Sequence, residues 1–159
     1  MKVLVGGKGW MLAVAVAISL AATAGVAAGL SGADALKDRQ THMKGMGAAA
    51  KALVDQVKSD NPDMGVIKDA AGKLNAGAQA LPNWFPGGSG PETGLKTAAL
   101  PVIWTDQADF AAAAKNLAAE TAKLNTVAQA GDLPAVKADT MAVGGACGAC
   151  HKKFRAKES

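Results

Sequence analysis

Apolar residues recur at helical spacing in four long stretches of this chain, and a stretch rich in proline and glycine separates the second from the third. An apolar residue at every third or fourth position predicts an amphipathic helix with one face for a core. Tyrosine is absent and alanine is abundant, a composition that favours close-packed helices over sheets. We therefore predict an all-α protein, an antiparallel four-helix bundle with one long crossover. The predicted helices cover residues 35–57, 62–81, 105–130 and 133–154, and the crossover covers residues 82–101.

Capping residues predict where these helices begin and end. Asn61 and Pro62 predict the start of the second helix, as its cap and its first helical residue. Thr105 is the predicted cap of the third helix, Gly131 ends that helix, and Asp132 caps the fourth. The predicted inward face of the second helix comprises Val66, Ile67, Ala70, Leu74 and Ala78.

The only two cysteines and one of the two histidines lie within five residues, from Cys147 to His151. This C-x-x-C-H spacing is the pattern of covalent haem attachment. Two thiols at this spacing reach the two vinyl groups of one porphyrin, and the adjacent imidazole turns beneath the ring to bind iron. We therefore predict one haem c on the inward face of the last helix, joined covalently to Cys147 and Cys150, with His151 as an iron ligand.

Three other uses of a C-x-x-C pair fit this sequence less well. A thioredoxin-like redox pair lies at the start of a helix after a strand, and no such strand pattern precedes Cys147. A structural zinc site needs four ligands, and His42 is the only other histidine. A disulfide between Cys147 and Cys150 within a helix closes a short, strained ring.

Residues 1–33 have the composition of a signal peptide for export. Lys2 and Lys8 precede a stretch without charge over residues 9–33, with an apolar core at about residues 10–30. Small residues at 26–28 and 31–33 offer cleavage sites, and cleavage after Ala33 leaves a haem domain of residues 34–159 in the periplasm. The alternative is an uncleaved membrane anchor, because about 20 apolar residues span a hydrocarbon core of about 30 Å.

The charge of the chain argues against nucleic acid as a partner. The formal net charge is +4, and removal of residues 1–33 takes away two lysines and leaves +2. No basic stripe with interleaved aromatic residues is present. A basic cluster follows the haem signature and has two interpretations, a surface that steers an acidic redox partner or a solvated helix end stabilised by the macrodipole. The cluster comprises Lys152, Lys153, Arg155 and Lys157.

Several short segments accompany the haem signature in a characteristic order. They are Arg39-Gln40, Met43-Lys44, Phe85-Pro86-Gly87, Ile103-Trp104, Phe110, Gly131-Asp132-Leu133 and Cys147-x-x-Cys150-His151-x-x-Phe154-Arg155. Together they resemble the cytochrome c′ family, and the resemblance covers essentially all of residues 34–159. In these four-helix c-type cytochromes the haem signature lies near the C-terminus, as it does here, whereas small cytochromes c carry it near the start of the chain.

The resemblance implies a role for each candidate site residue. Cys147 and Cys150 hold the haem, and His151 is the proximal ligand. Arg155, one turn after His151, flanks the proximal pocket and raises the haem potential. Arg39 lies near the haem propionates in a charge-assisted pairing. The alternative for Arg39 is a solvated residue of the bundle surface.

Met43 occupies the position that in this family faces the distal side of the haem. In one branch a methionine there binds iron as the sixth ligand and gives a low-spin haem suited to electron transfer. In the other branch an apolar residue, in some members also methionine, covers an open five-coordinate iron that binds NO or CO. We predict Met43 as the sixth ligand. Met46 is expected to fill core space, and His42, about 100° around the helix from Met43, to be exposed or near a propionate rather than an iron ligand.

These observations predict a periplasmic cytochrome that carries single electrons between redox partner proteins through one haem. The alternative is a five-coordinate protein that binds NO or CO. No acid–base constellation for a peroxidase is present in the sequence, so we predict a carrier rather than an enzyme. The resemblance also implies a homodimer through the first two helices. Membrane association is expected only if residues 1–33 are retained.

Overall fold

Helices account for nearly all regular structure in the computed structural model of the protein, which describes residues 31–157. The helices are α1 Gly32–Lys58, α2 Met64–Ala80, the single-turn α3 Val102–Thr105, α4 Gln107–Ala130 and α5 Leu133–Phe154. Within residues 31–157, extended chain pairs only in an isolated antiparallel bridge between Ala99 and Arg155. The prediction of an all-α protein is confirmed.

The four long helices pack as an antiparallel bundle around one core, as predicted. α1 packs on α2, α2 on α4 and α4 on α5, whereas α1 and α5 make the loosest contact among these neighbours. The crossover between α2 and α3 contains two 3₁₀ turns, Leu81–Trp84 and Pro91–Thr93. Large residues that are fully buried come from all four long helices: Leu53, Ile67, Leu74, Leu124 and Val136. α1 and α5 are therefore the most loosely packed pair of neighbouring long helices.

The start of α2 differs from the prediction. Asp63, rather than Asn61, caps the helix: its Oδ1 accepts hydrogen bonds from the backbone N–H groups of Gly65 at 2.7 Å and Val66 at 3.3 Å. Pro62 precedes this cap and is not the first helical residue. The carboxylate of Asp63 satisfies two helix-end donors, and an acidic cap is also favoured by the helix dipole.

Of the predicted N-caps of the later helices, Thr105 is wrong and Asp132 is confirmed. Thr105 is the last residue of α3, and α4 is capped instead by Asp106, whose carboxylate accepts from the Asp109 N–H at 3.2 Å. Asp132 caps α5 as predicted, accepting from the Ala135 N–H at 3.1 Å. Gly131 ends α4 with a φ of 80°, a left-handed conformation that glycine adopts without steric cost.

The predicted inward position of Val66 is wrong, because this side chain is 38% exposed. The buried face of α2 is narrower and consists of Ile67, Ala70, Ala71, Leu74 and Ala78. Val66 lies about 100° from Ile67 around the helix, which places it at the edge of this face.

The predicted signal or anchor segment falls almost wholly outside the described residues, which begin at Ser31. The Ser31 hydroxyl oxygen caps α1 by accepting from the Asp34 N–H at 3.2 Å, and Gly32 and Ala33 form the first turn. None of the helices between residues 31 and 157 combines the length and apolarity needed to cross a bilayer. The boundary at residue 33 stays a prediction.

Candidate haem site

The last two turns of α5 carry the three residues of the predicted attachment signature. Cys147 and Cys150 are half-buried and their thiols are not joined to each other, so the disulfide alternative is not formed. Three- and four-residue spacings place Cys147, Cys150 and His151 on one side of the helix. His151 is exposed beside an open depression at the end of α5.

The pKa shifts of these groups argue against a reactive redox pair and favour a neutral imidazole. Burial raises the pKa of the Cys147 thiol, and burial together with Cys147 raises the pKa of Cys150. A reactive redox pair needs a lowered thiol pKa, so these raised values argue against it. Burial, and secondarily the charge of Arg155, lowers the pKa of His151. The neutral imidazole is thereby favoured, and this is the form that binds a metal.

An apolar cavity of about 110 Å³ lies at the loose junction of α1 and α5, with Cys147 in its wall. Its other lining residues are Ala50, Leu53, Val54, Leu74, Leu124, Thr140, Val143 and Gly144. The Thr140 hydroxyl is buried without a hydrogen-bond partner. A cavity with one polar side chain cannot give a water its usual two to four hydrogen bonds. The space is suited to an apolar edge such as the ring edge that carries the thioethers.

Three glycines give α5 a bare flank around the cysteines. A Cβ placed on Gly144, Gly145 or Gly148 meets no other atom within 4 Å. Glycine within a helix costs about 1 kcal/mol relative to alanine, and no contact of the protein chain accounts for that cost here. A flat macrocycle lying against α5 does account for it. On this observation, together with the cavity and the neutral imidazole, the residues present fit a haem.

A metal site without haem is not supported by the geometry. Within residues 31–157, no group of three or more His, Cys, Asp or Glu side chains comes together in an arrangement that could hold a metal ion.

The two methionines of α1 face different neighbours. Met43 is half-buried and lies on the helix stripe of Ala50 and Val54, which line the cavity opposite Cys147. Met46 packs against α2: a Cβ on Gly77 would lie 2.8 Å from the Met46 Cγ. Met46 therefore fills space between α1 and α2, whereas helical register places Met43 on the side of α1 that carries Ala50 and Val54.

His42 contacts Asp38 and Trp84 at the exposed side of α1. Its Nε2 lies 3.3 Å from the Asp38 Oδ1, and its ring stacks on Trp84 with centroids 4.6 Å apart. The imidazole is exposed, as expected, and its hydrogen-bonding nitrogen faces a carboxylate on its own helix.

Arg39 is buried, with 3% of its surface exposed, so the alternative of a solvated surface residue is wrong. Its guanidinium donates to the carbonyl oxygens of Trp84 at 3.2 Å and Ser89 at 3.0 Å. It also donates to the hydroxyl oxygens of Ser89 at 3.0 Å and Thr97 at 3.3 Å. The rings of Phe85 and Trp104 lie 4.7 and 5.7 Å from its central carbon. Burial lowers the pKa of this group.

The crossover is therefore the observed partner of Arg39, and the pairing with a propionate stays a prediction. Sequence reasoning missed Ser89, which is fully buried although it lies among glycines and prolines. The signal that could have found it is the serine itself, the only residue with a side-chain donor and acceptor in the segment Pro86–Pro91.

Arg155 follows the last residue of α5 in extended conformation. Its side chain is exposed and lines the depression beside His151. The backbone around it pairs with the crossover: the Ala156 N–H donates to the Ala98 carbonyl at 2.8 Å, and the Leu100 N–H donates to the Phe154 carbonyl at 3.0 Å. Arg155 is thus held near His151 by the chain itself.

Comparison with known proteins agrees with this geometry. The sequence model of the family described as cytochrome C′ matches residues 34–155. The chain is 37% identical to a cytochrome c′ of Rhodopseudomonas palustris over 128 residues, which are 79% of this chain and 84% of that protein.

Two solved structures share the fold. One is a cytochrome c′ described as having an unusual ligand-controlled dimer dissociation, with a TM-score of 0.74 and 27% sequence identity. The match covers 82% of this chain and 100% of that cytochrome. The other is a ferrous variant of cytochrome c prime from Alcaligenes xylosoxidans with bound NO, with a TM-score of 0.73 and 28% sequence identity. The match covers 82% of this chain and 99% of that variant. The chain belongs to the cytochrome c′ family and is a c-type cytochrome with covalently bound haem c.

Proposed function

We propose that this cytochrome carries single electrons in the periplasm, with Met43 as the sixth ligand of its haem iron. Cys147 and Cys150 anchor the ring to α5, and His151 is the proximal ligand. The haem supplies a one-electron couple between ferrous and ferric iron. The protein transfers that electron without covalent change to a substrate.

The position of Met43 is the observation that carries the proposal. Helical register places it on the stripe of Ala50 and Val54, which line the cavity together with Cys147, whereas Met46 packs on α2 and His42 lies against Asp38. A thioether ligand raises the reduction potential, and a closed six-coordinate site rearranges little when the electron arrives. The lining of the cavity is mostly apolar, and the charge of Arg155 beside His151 favours the reduced state further.

The ferrous absorption spectrum, recorded with and without CO, tests the proposal. We expect the holoprotein to be low-spin and to refuse CO. Met43→Ala should give a high-spin protein that binds CO, because the sixth position is then open. Met46→Ala is the matched control, one turn away on the same helix, and should stay low-spin. A low-spin spectrum that survives Met43→Ala would remove Met43 as the ligand and bring His42 forward.

A second candidate function is gas binding at an open iron, and the NO-bound Alcaligenes xylosoxidans structure favours it. In this case Met43 only covers the distal side, and NO or CO enters the sixth position. A broad, high-spin spectrum of the wild-type protein that changes on addition of CO would support this candidate and refute the electron carrier with a methionine ligand.

Export and dimerisation belong to the same proposal. Cleavage after Ala33 is tested by mass spectrometry of periplasmic protein, and an intact N-terminus would indicate the anchored alternative. A homodimer through α1 and α2 is supported by Gly45 and Gly47, which leave open space on α1, and by the exposed Val66 on α2. Sedimentation equilibrium of the wild type and of Val66→Glu tests this contact.

A further inference from the structure

The first turn of α1 belongs to the folded domain. The Ser31 hydroxyl accepts a hydrogen bond from the Asp34 N–H at 3.2 Å and donates one to the Asp34 Oδ2 at 2.6 Å. The Ser31 carbonyl oxygen accepts from the Ala35 N–H at 2.8 Å, and Ala35 is buried, with 3% of its surface exposed. Ser31 therefore supplies both the side-chain cap of α1 and the first backbone acceptor of the helix.

Gly32 packs against the crossover at a distance that admits only glycine. A Cβ on this residue would overlap the Gly88 carbonyl oxygen and would lie 3.6 Å from the Leu95 Cδ1. Glycine lets one backbone approach another this closely. Residues 31–33 thus hold the start of α1 in two ways, by a local cap and by a contact with a distant part of the chain.

Cleavage after Ala33, the boundary predicted from the sequence, would remove this turn. The cap of Asp34, the acceptor for the Ala35 N–H and the contact of Gly32 with the crossover would all be lost. The new α-ammonium group would lie on Asp34, in the first turn of α1, where the helix dipole favours negative charge. This boundary therefore weakens the start of α1 by loss of contacts and also by charge.

Another candidate cleavage site precedes this turn in the sequence. Val26-Ala27-Ala28 has small residues at the third and the first positions before a cut after Ala28, the arrangement that signal peptidases require. Cleavage there leaves Gly29 and Leu30 ahead of the cap at Ser31. The turn at residues 31–33 is then retained, and the α-ammonium group precedes the first helical residue.

We infer that the protein is processed on export after Ala28, so that the mature domain begins at Gly29. The inference rests on the proposed export and names the processing site within it, in place of the boundary after Ala33. The signal peptidase of the exporting cell catalyses the addition of one water molecule across the Ala28–Gly29 peptide bond. Ala28 leaves with a carboxylate, and Gly29 keeps an α-ammonium group.

The N-terminus of holoprotein purified from the periplasm, read by Edman degradation and intact mass, tests the inference directly. We expect a single sequence that begins Gly29-Leu30-Ser31. A sequence that begins at Asp34 would overturn this inference alone, since export and cleavage would still have occurred. An intact chain that begins at Met1 would overturn it together with the cleavage that the proposed function includes.

Two phenylalanine variants locate the cut in a second way. A signal peptidase needs a small residue immediately before the bond that it hydrolyses. Ala28→Phe should therefore accumulate as precursor in a pulse–chase experiment, whereas Ala33→Phe, the matched control, should mature at the wild-type rate. Ala33 is exposed, so the larger side chain does not disturb the folded domain. The reverse pattern would overturn the inference.

Gly32→Val tests whether the turn is retained and used. The middle position of a cleavage site is unrestricted, so this variant leaves both candidate sites intact. The mature variant should carry the added mass of valine and unfold at a lower urea concentration than the wild type, because the new Cβ meets the Gly88 carbonyl oxygen. Ala48→Val, at an exposed position of the same helix, is the control and should shift the midpoint less. A mature Gly32→Val protein with the mass and the urea midpoint of the wild type would overturn the inference.

Discussion

Arg39→Met should destabilise the holoprotein by about 3 kcal/mol, because it removes the guanidinium that holds the crossover on α1. Methionine keeps an unbranched stem of similar length, so the change isolates the charged group. The variant leaves the carbonyl oxygens of Trp84 and Ser89 without this buried donor. Each unsatisfied buried acceptor costs about 1–3 kcal/mol. The contacts with Phe85 and Trp104 add about 1 kcal/mol, offset in part because a buried charge no longer needs to be desolvated.

Guanidinium chloride unfolding, followed by far-UV circular dichroism, measures this loss. Lys37→Met is the matched control, since Lys37 is an exposed residue of the same helix, and it should change stability by less than about 0.5 kcal/mol. Hydrogen exchange in Arg39→Met should accelerate in the crossover between Trp84 and Thr97 before it does in the bundle. A loss below about 1 kcal/mol, or unchanged exchange in the crossover, would refute the anchoring role and leave a propionate as the principal partner of Arg39.

Two further predictions concern the packing and the charge of the bundle. Gly77→Ala should lower the free energy of unfolding, measured in urea, by about 1–3 kcal/mol, because the new Cβ would lie 2.8 Å from the Met46 side chain. This loss is expected although alanine is a better helix former than glycine. A gain in stability would contradict this packing. The N–H of Asp109, and then Lys153, lower the pKa of Asp106. A depressed folded-state pKa gives stability that is present above about pH 4 and is lost as the pH falls through the lower folded value. In Asp106→Asn the urea midpoint of unfolding should therefore fall less as the pH is lowered below about 4 than it does in the wild type. An equal fall in both proteins would count against the pairing of Asp106 with Lys153.

The bundle could be predicted from the sequence because its signals are local. The apolar spacing within each long helix, the left-handed glycine at Gly131 and the cap at Asp132 all depend on residues within one or two turns. The errors at Asn61 and Thr105 arise where a second capping residue lies close by. Asp63 is selected by an additional contact, since the Gln56 Oε1 accepts its N–H at 2.7 Å and fixes the chain before α2. Which of two nearby residues caps a helix therefore depends on the folded conformation of the preceding loop.

The contacts around the candidate site could not be predicted from the sequence. The haem signature occupies five consecutive residues and is visible in the sequence, whereas the hydrogen-bond partners of Arg39 lie 45 to 58 residues away along the chain. Nothing local connects Arg39 with Ser89, because serine among glycines also fits an exposed loop. The packing of Met46 on α2 likewise depends on Gly77, because a Cβ there would lie 2.8 Å from the Met46 Cγ.

The crossover links the two sides of the candidate haem site. Arg39 fastens its first part to α1, one turn before Met43, and the backbone bonds at Ala98 and Leu100 fasten its last part to the end of α5, next to His151. Within the crossover the only helical structure is two 3₁₀ turns, and these two attachments add to the contacts that order the segment. Loss of either attachment should loosen the crossover, and through it the spacing of α1 and α5, which otherwise contact each other only loosely. The relative position of the proposed axial ligands therefore depends on a segment that supplies neither of them.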